Sequence, residues 1–240
     1  MQTEVLTDLV LANHILFNEG VLDGFGHVSV RNPSNPGRFY IARSIAPATV
    51  SEDDILEVDL DGVVHDERNR RTYVERFIHS EIYKARPDVH CVVHSHSPTV
   101  IPFGVTGTRL RPVCHMSGFL GNKTPIYEIR DFIGESSSLL VTSQKLGKAL
   151  ADTLGSKNVA LMRGHGSVAV GESIKQAVYR AIYTEVNARL QAQSLALGEP
   201  IFLSDGECDG TTEAMNDHLD RPWQLWVRRA KASALNLPTT

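Results

Sequence analysis

Four side chains in this sequence have the types and spacing needed to handle protons and electron pairs: Glu75, His94, His96 and His165. His94 and His96 follow the apolar run "CVV" in "DVHCVVHSHSPTVIPF". On a β-strand, side chains alternate with period two, so a His-x-His pair projects both imidazoles to one face. That arrangement can give two ligands to one metal ion. Ten histidines in 240 residues would yield roughly 0.4 such pairs by chance, so the pair needs company. His165 supplies it. In "RGHGSV" it stands between glycines, at a tight turn joining two apolar runs, where a side chain can enter a cleft while the backbone stays close-packed. Glu75, in "YVERFIH", could add a carboxylate as a fourth ligand or as a proton carrier.

The elements that must position these residues are readable as periodicity. Residues 3–18 place Leu6, Leu9, Val10, Leu16 and Phe17 at helical spacing before Gly20. "DGFGHVSVRNP" is a glycine-rich turn feeding an alternating strand, "RFYIAR" is a second strand, and "ILEVDLDGVV" is a hairpin turning at Asp61-Gly62. "VERFIHSEIYKARPD" puts Phe77, Ile78 and Ile82 on one helical face and stops before Pro87. "VHCVVHSH" is a strand. "SLLVTSQKLGKALADTLGS" predicts a strand and then a helix capped by Thr142 or Ser143, and "NVALMRGHGSVAVG" predicts two strands around the turn. Residues 173–197 form a long helix. Beyond Ser204, "DGECDG" reads as a loop, and residues 211–235 as a C-terminal helix interrupted or begun at Pro222, with Trp223 and Trp226 docking it on the body or on a neighbouring subunit. The expectation is an α/β domain over residues 1–203 and a C-terminal loop and helix over 204–240.

Composition narrows the partners. Apolar residues at 42% and charged residues at 22% match ordinary globular domains. A net charge of −4 disfavours a broad cationic face for nucleic acid, and no apolar run approaches the ~20 residues needed to span a bilayer. Cys91, Cys114 and Cys208 are odd in number and lack C-x-x-C spacing, which disfavours a disulfide framework or a zinc knot. The amino-terminal segment carries Glu4 and Asp8 and lacks a basic n-region, so a cytoplasmic location is expected.

Glu75, then His94-x-His96 19 residues on, "ARPDV" before that strand and a glycine-flanked His165 together resemble the class II aldolase/adducin family, from the first helix to about Leu197. The resemblance implies a single three-layer α/β/α domain with a mixed central sheet and a fourfold-symmetric homo-oligomer, a tetramer. It also implies one divalent metal per subunit (manganese, zinc or iron) on His94, His96 and His165, with Glu75 as acid/base.

Members of that family acting on sugar phosphates hold the phosphate with a Gly-Asn-x-Ser turn, a Thr/Ser-Gly loop and a Ser-Ser pair before the glutamate. Here "GHVS", "ARSIAP" and "YVE" stand in those places. His27 replaces the asparagine, Arg43 and Ser44 with Ile45 replace the loop, and Tyr73-Val74 replace the serines. A phosphate dianion needs several small donors at close range. The replacements instead offer bulk and cationic or aromatic character at His27, Arg31, Arg43, Tyr73, Arg76 and His115, which suits a flat ring and a carboxylate. "EGVLDGFGHVSVRNP", "RFIHSEIYKARPDV", "IPFGVTGTRLRP" and "VALMRGHGSV" are most similar to a branch that decarboxylates hydroxylated aromatic or heteroaromatic acids, such as dihydroxyphthalates and hydroxypyridine dicarboxylates. On that reading Glu75, His27 and Arg43 are catalytic, and Arg31, Ser44, Tyr73, Arg76 and His115 bind a small aromatic carboxylate. The rival readings are an aldolase or epimerase for a sugar phosphate, a non-haem iron oxygenase on an aromatic acid, and an adducin-type binding module. The last predicts loss of the metal histidines, and all three are present.

Overall fold

The computed structural model describes residues 2–234; Leu235, the last residue of the expected C-terminal helix, and the segment to Thr240 lie outside them. In chain order the elements are α1 (Gln2–Asn18), β1 (His27–Arg31), β2 (Arg38–Ala42), β3 (Ile55–Asp59), β4 (Val64–His65), α2 (Arg76–Ala85), β5 (Cys91–Ser95), α3 (Ile101–Val105), β6 (Ile126–Tyr127), α4 (Arg130–Ile133), α5 (Gln144–Leu154), β7 (Val159–Met162), β8 (Gly166–Gly171), α6 (Ile174–Leu197), α7 (Asp205–Asn216) and α8 (Asp220–Ala234). Eight strands form one sheet in the order β4-β3-β2-β1-β5-β8-β7-β6. The β6–β7 pair is parallel and the other pairs are antiparallel, so the sheet is mixed.

Strand alternation builds two cores. Val28, Val30, Cys91 and Val93 face α1 and α6, whereas Val92, Val168 and Val170 face α2 and α5. The result is the three-layer α/β/α domain. Its centre, β1-β5-β8, is buried at every position, so the strands read as near-continuous apolar runs broken by the residues that carry chemistry.

Two sequence expectations fail for local reasons. "SLLV" pairs with no strand, and Leu139 within it takes a left-handed φ of +63° that breaks an extended run; the edge position next to β7 belongs to β6. A run of four apolar residues cannot by itself choose between pairing and loop. "DGECDG" is helical, the start of α7, despite two glycines. Ser204 and Glu207 form a reciprocal capping box there, and Cys208 is buried against the 3-10 turn His115–Leu120.

Helix α8 packs on α1 and α6, with Trp223 and Trp226 in the same apolar cluster as those helices. Each indole removes about 200 Å² of ring surface from water, worth about 5 kcal/mol at ~25 cal/mol per Å² before the entropy of ordering the helix is counted. Among the described residues no helix is long and apolar enough to cross a membrane.

Candidate metal centre and cleft

The register of the central strands assembles the site. His27 at the start of β1 lies opposite His94 on β5, and His94 lies opposite Val168 on β8. The histidines thus meet where β1 begins, β5 ends and β8 begins. Two glycines permit the crowding. A Cβ on Gly26, whose φ is +85°, would stand 2.9 Å from the His94 carbonyl oxygen. One on Gly166 would meet the Ser95 carbonyl oxygen at 1.9 Å, so only glycine lets the turn bearing His165 press against the strand bearing His94 and His96. Glu75 arrives from the third direction, at the N-cap of α2, and its side chain leaves its own helix uncapped.

The four side chains converge so that one ligand atom from each lies within 4.8 Å of all the others. Nε2 of His96 is 2.9 Å from Nε2 of His94 and 3.0 Å from Nε2 of His165. Glu75 Oε2 is 3.7 Å from His94 Nε2 and 3.5 Å from His165 Nε2. The tautomer of His94 follows from its other nitrogen. Nδ1 donates to the Ser167 carbonyl at 3.1 Å, which leaves the Nε2 lone pair aimed at the cluster. Glu75 Oε1 accepts from the Val141 amide at 2.9 Å, a use for the unpaired "SLLV" backbone.

Electrostatics fits a cation at this point. Burial by itself would raise the Glu75 carboxyl, but the hydrogen bond from His165, the nearby imidazoles of His94 and His165 and the Val141 amide hold it at about 2. Burial pushes His94 well below the ordinary imidazole value, aided by His165 and His96 and opposed by Glu75. His96 is lowered by burial and then by His165. The His94 and His96 imidazoles, whose charged form burial disfavours, stand with the His165 ring beside an ionised carboxylate, and imidazole nitrogens with a carboxylate are a donor set that zinc, manganese or iron accepts. The residues present therefore fit a divalent metal.

The cluster opens into a cleft of about 460 Å³ lined by Phe25, His27, Ser44, Ile45, Ala46, Tyr73, Val74, Glu75, His96 and Leu140, with Gly24 and Gly26 at its glycine-rich turn. Tyr73 closes one wall, its ring 4.5 Å from that of His27 and its hydroxyl donating to the Ile45 carbonyl at 2.7 Å. Burial pushes that hydroxyl up to about 12, so it stays protonated.

Four residues expected in the cleft lie elsewhere. Arg31 is buried, and its guanidinium donates to the carbonyls of Val89, Pro36, Tyr83 and Arg86. It ties the end of α2 to β1, four residues along the strand from His27. Arg43 donates to Asp54 at 2.6 Å, and Arg76 to the Gly62 carbonyl at 2.6 Å. His115 is exposed at the 3-10 turn near α6 and α7. Long side chains go where tertiary structure offers acceptors, which residue type does not reveal.

Sequence reading also missed contributors. Phe25, 70% exposed, stands at the rim with its ring 6.3 Å from His96; its only sequence signal was its place inside "DGFG". Behind His27 lies His79, four residues after Glu75 on the same face of α2, a spacing that could have flagged it.

Residues 7–192 match the class II aldolase and adducin N-terminal domain family. The decarboxylase tropJ of Talaromyces stipitatus is 41% identical, with 92% of each chain covered. A 3,4-dihydroxyphthalate decarboxylase of Arthrobacter keyseri is 29% identical, covering 79% of this chain and 78% of its own. Among solved structures, an aldolase II superfamily protein from Pseudomonas syringae superposes with a TM-score of 0.81 at 22% identity, over 96% of this chain and 93% of that one, a likeness of fold.

Proposed function

The chain belongs to the class II aldolase/adducin family, and from that premise we propose that it is a metal-dependent decarboxylase of a hydroxylated aromatic or heteroaromatic carboxylic acid. The observation that carries this reading is the junction of two features: Glu75 and three imidazoles converge at one point, and the cleft above them is walled by Phe25, Ile45, Ala46, Tyr73 and Leu140. Such walls accept a planar ring. Similarity to two proteins named as decarboxylases points the same way.

His94, His96 and His165 would hold the ion, and a divalent ion there supplies a Lewis acid that polarises a substrate oxygen and acidifies a hydroxyl. The chain's own residues do the rest. Loss of CO2 leaves an electron pair on the ring carbon, and a proton must replace the carboxyl group there. Glu75, anchored by Val141 and kept ionised, accepts the proton of a substrate hydroxyl next to the scissile carboxylate, and the carboxylic acid so formed returns that proton to the ring carbon as CO2 leaves, the remaining phenolate taking a proton from water on release. Phe25 and Tyr73 orient the ring and exclude water from it.

A sugar phosphate is the less favoured substrate. Among the residues lining the cleft, Ser44 offers a hydroxyl and His27 an imidazole, and neither lysine nor arginine lines it, whereas a phosphate dianion asks for several donors or a guanidinium.

The test is a screen of ortho-hydroxylated aromatic mono- and dicarboxylates for CO2 release, with and without chelator. At least one acid should be turned over, chelation should abolish turnover, and Glu75→Gln should lower it by about 10²–10⁴-fold while metal content holds near one per chain. Absence of CO2 from every acid, together with tight binding of a phosphorylated hydroxamate, would establish the sugar-phosphate alternative. Oxygen consumption with bound iron would establish the oxygenase.

A further inference from the structure

We propose that Glu185 is a positioning residue for the metal centre: by taking the Ser97 hydroxyl from behind the sheet, it fixes the backbone that carries His96. The inference rests on the metal centre described above and concerns a residue outside the cleft.

His96 is the ligand candidate on β5 that the sheet holds least. His94 lies within the ladder, paired with His27 on one side and Val168 on the other, and its Nδ1 is fastened to the Ser167 carbonyl. The ladder between β5 and β8 ends one residue later, at Ser95 and Ser167. His96 therefore stands on the segment that leaves the sheet for α3. Its Nε2 meets the other imidazoles of the cluster, and among the described residues none holds its Nδ1. A metal-binding imidazole is ordinarily oriented by a partner on its other nitrogen. Here orientation falls to the backbone.

Two contacts fix that backbone. From the side, Gly166 of β8 lies so close that a Cβ on it would stand 3.2 Å from the His96 Cα. From behind comes α6, which packs on β5 and β8. Strand alternation sends Cys91 and Val93 toward α6 and His94 toward Glu75 at the start of α2. The same alternation, carried past the end of the strand, puts His96 with Glu75 and puts Ser97 on the α6 side, where its hydroxyl donates to Glu185. The Ser97 carbonyl accepts the amides of Val100 and Ile101, so the residue after His96 is held at its side chain and at its carbonyl. With consecutive Cα atoms only about 3.8 Å apart, a displacement of Ser97 is felt at His96.

Burial marks the contact as built. Glu185 and Ser97 are 4% and 2% exposed, and the other partner of the carboxylate is Arg189, one turn along the helix at 3.0 Å. A carboxylate withdrawn from water is costly unless its oxygens are occupied. The same helix holds the chain that follows, because the side-chain amides of Asn187 and Gln191 bind the backbone of residues 109–113. Helix α6 is thus a rail to which the segment after His96 is pinned, and Glu185 is the pin beside a ligand. A metal site needs its donor atoms placed to within about 0.2 Å, which makes that pin matter to the ion as well as to the fold.

The test is cobalt(II) binding to the full-length, metal-free protein, measured by competition with a chromophoric chelator and by the visible d–d bands, with unfolding by urea followed in parallel. Ser97→Ala and Glu185→Leu should each weaken cobalt binding by about 10–100-fold and shift the bands. Glu185→Gln, whose amide oxygen can still accept from Ser97, should stay within about threefold of wild type. The double variant Ser97→Ala/Glu185→Leu should bind no more weakly than the weaker single, since both cut one link. Wild-type affinity and bands in Ser97→Ala, with only stability reduced, would show a purely structural contact and overturn the proposal, as would a Gln variant as weak as Leu. Should Glu185→Leu not fold, Ser97→Ala, smaller by one oxygen atom, decides alone. A wild-type protein that takes up no cobalt would overturn the metal centre and this inference with it, whereas unaltered binding in the variants of a cobalt-binding protein overturns the inference alone.

Discussion

Acidification should destabilise the fold through His79, and the size of the effect can be worked from its environment. Burial lowers this imidazole from 6.5 to about 3, with Glu75 pulling weakly the other way. Above pH 6.5 neither the folded nor the unfolded form carries the proton, so the group contributes no dependence. Between 6.5 and 3 the unfolded chain binds a proton that the folded chain refuses, and stability falls by about 1.4 kcal/mol for each unit of pH lowered. From pH 7.5 to 4.5 the loss is about 3 kcal/mol, a sizeable share of the ~5–15 kcal/mol that holds an ordinary domain together. For a chain of 240 residues it corresponds to a fall in Tm of roughly 6 °C. The assay is urea unfolding at fixed pH values across this range with chelator present, in wild type and His79→Gln. The variant should be less stable at neutral pH but should show a shallower acid slope, by up to about one proton near pH 5. Parallel slopes in the two proteins would refute the reasoning, because the buried surroundings of His79 would then be accommodating the charge.

Adding zinc or manganese to chelated protein should raise Tm. At a free metal concentration of a thousand times Kd the gain is about 4 kcal/mol, and His94→Ala, His96→Ala or His165→Ala should abolish most of the rise as read by calorimetry. Arg31→Met strands four carbonyls that now accept from the guanidinium, so it should lower stability by about 3 kcal/mol or more; any acid that is turned over should keep its KM. Arg43→Met removes a partly exposed ion pair with Asp54, and denaturation should register a loss of at most about 1 kcal/mol, with turnover within about twofold; a collapse of kcat would return Arg43 to the site. Gly166→Ala forces a methyl group onto the Ser95 carbonyl, and should lower both Tm and metal occupancy together, the latter measured by elemental analysis.

The sheet and its helices were legible because each central strand is a short apolar run bounded by turn residues, and α1, α2, α5 and α6 have Gly20, Pro87, Ser143 and Ser173 at the expected ends. The hairpin at Asp61-Gly62 was legible from turn chemistry, Gly62 taking φ +83°. The failures share a cause. In "DGECDG" glycine's weak helix propensity lost to a capping box and to docking of Cys208, and in "SLLV" apolar character served burial of Leu140's neighbour Val141 and an amide for Glu75 instead of a ladder. Both outcomes were decided by what the segments lie against.

The sequence by itself determined the inventory and the local geometry: which residues can bind a metal or move a proton, and that His94 and His96 leave a strand on one face. Tertiary structure alone decided which of the candidates meet. The register of β1, β5 and β8 brings His27, His94 and His165 together from three parts of the chain, while Arg31, Arg43 and Arg76 are drawn to carbonyls and a carboxylate outside the cleft. The physical reason is reach. A histidine or a short glutamate on a rigid strand or helix end stays where the backbone puts it, but a guanidinium on a long flexible stem settles wherever folding leaves an acceptor unpaired.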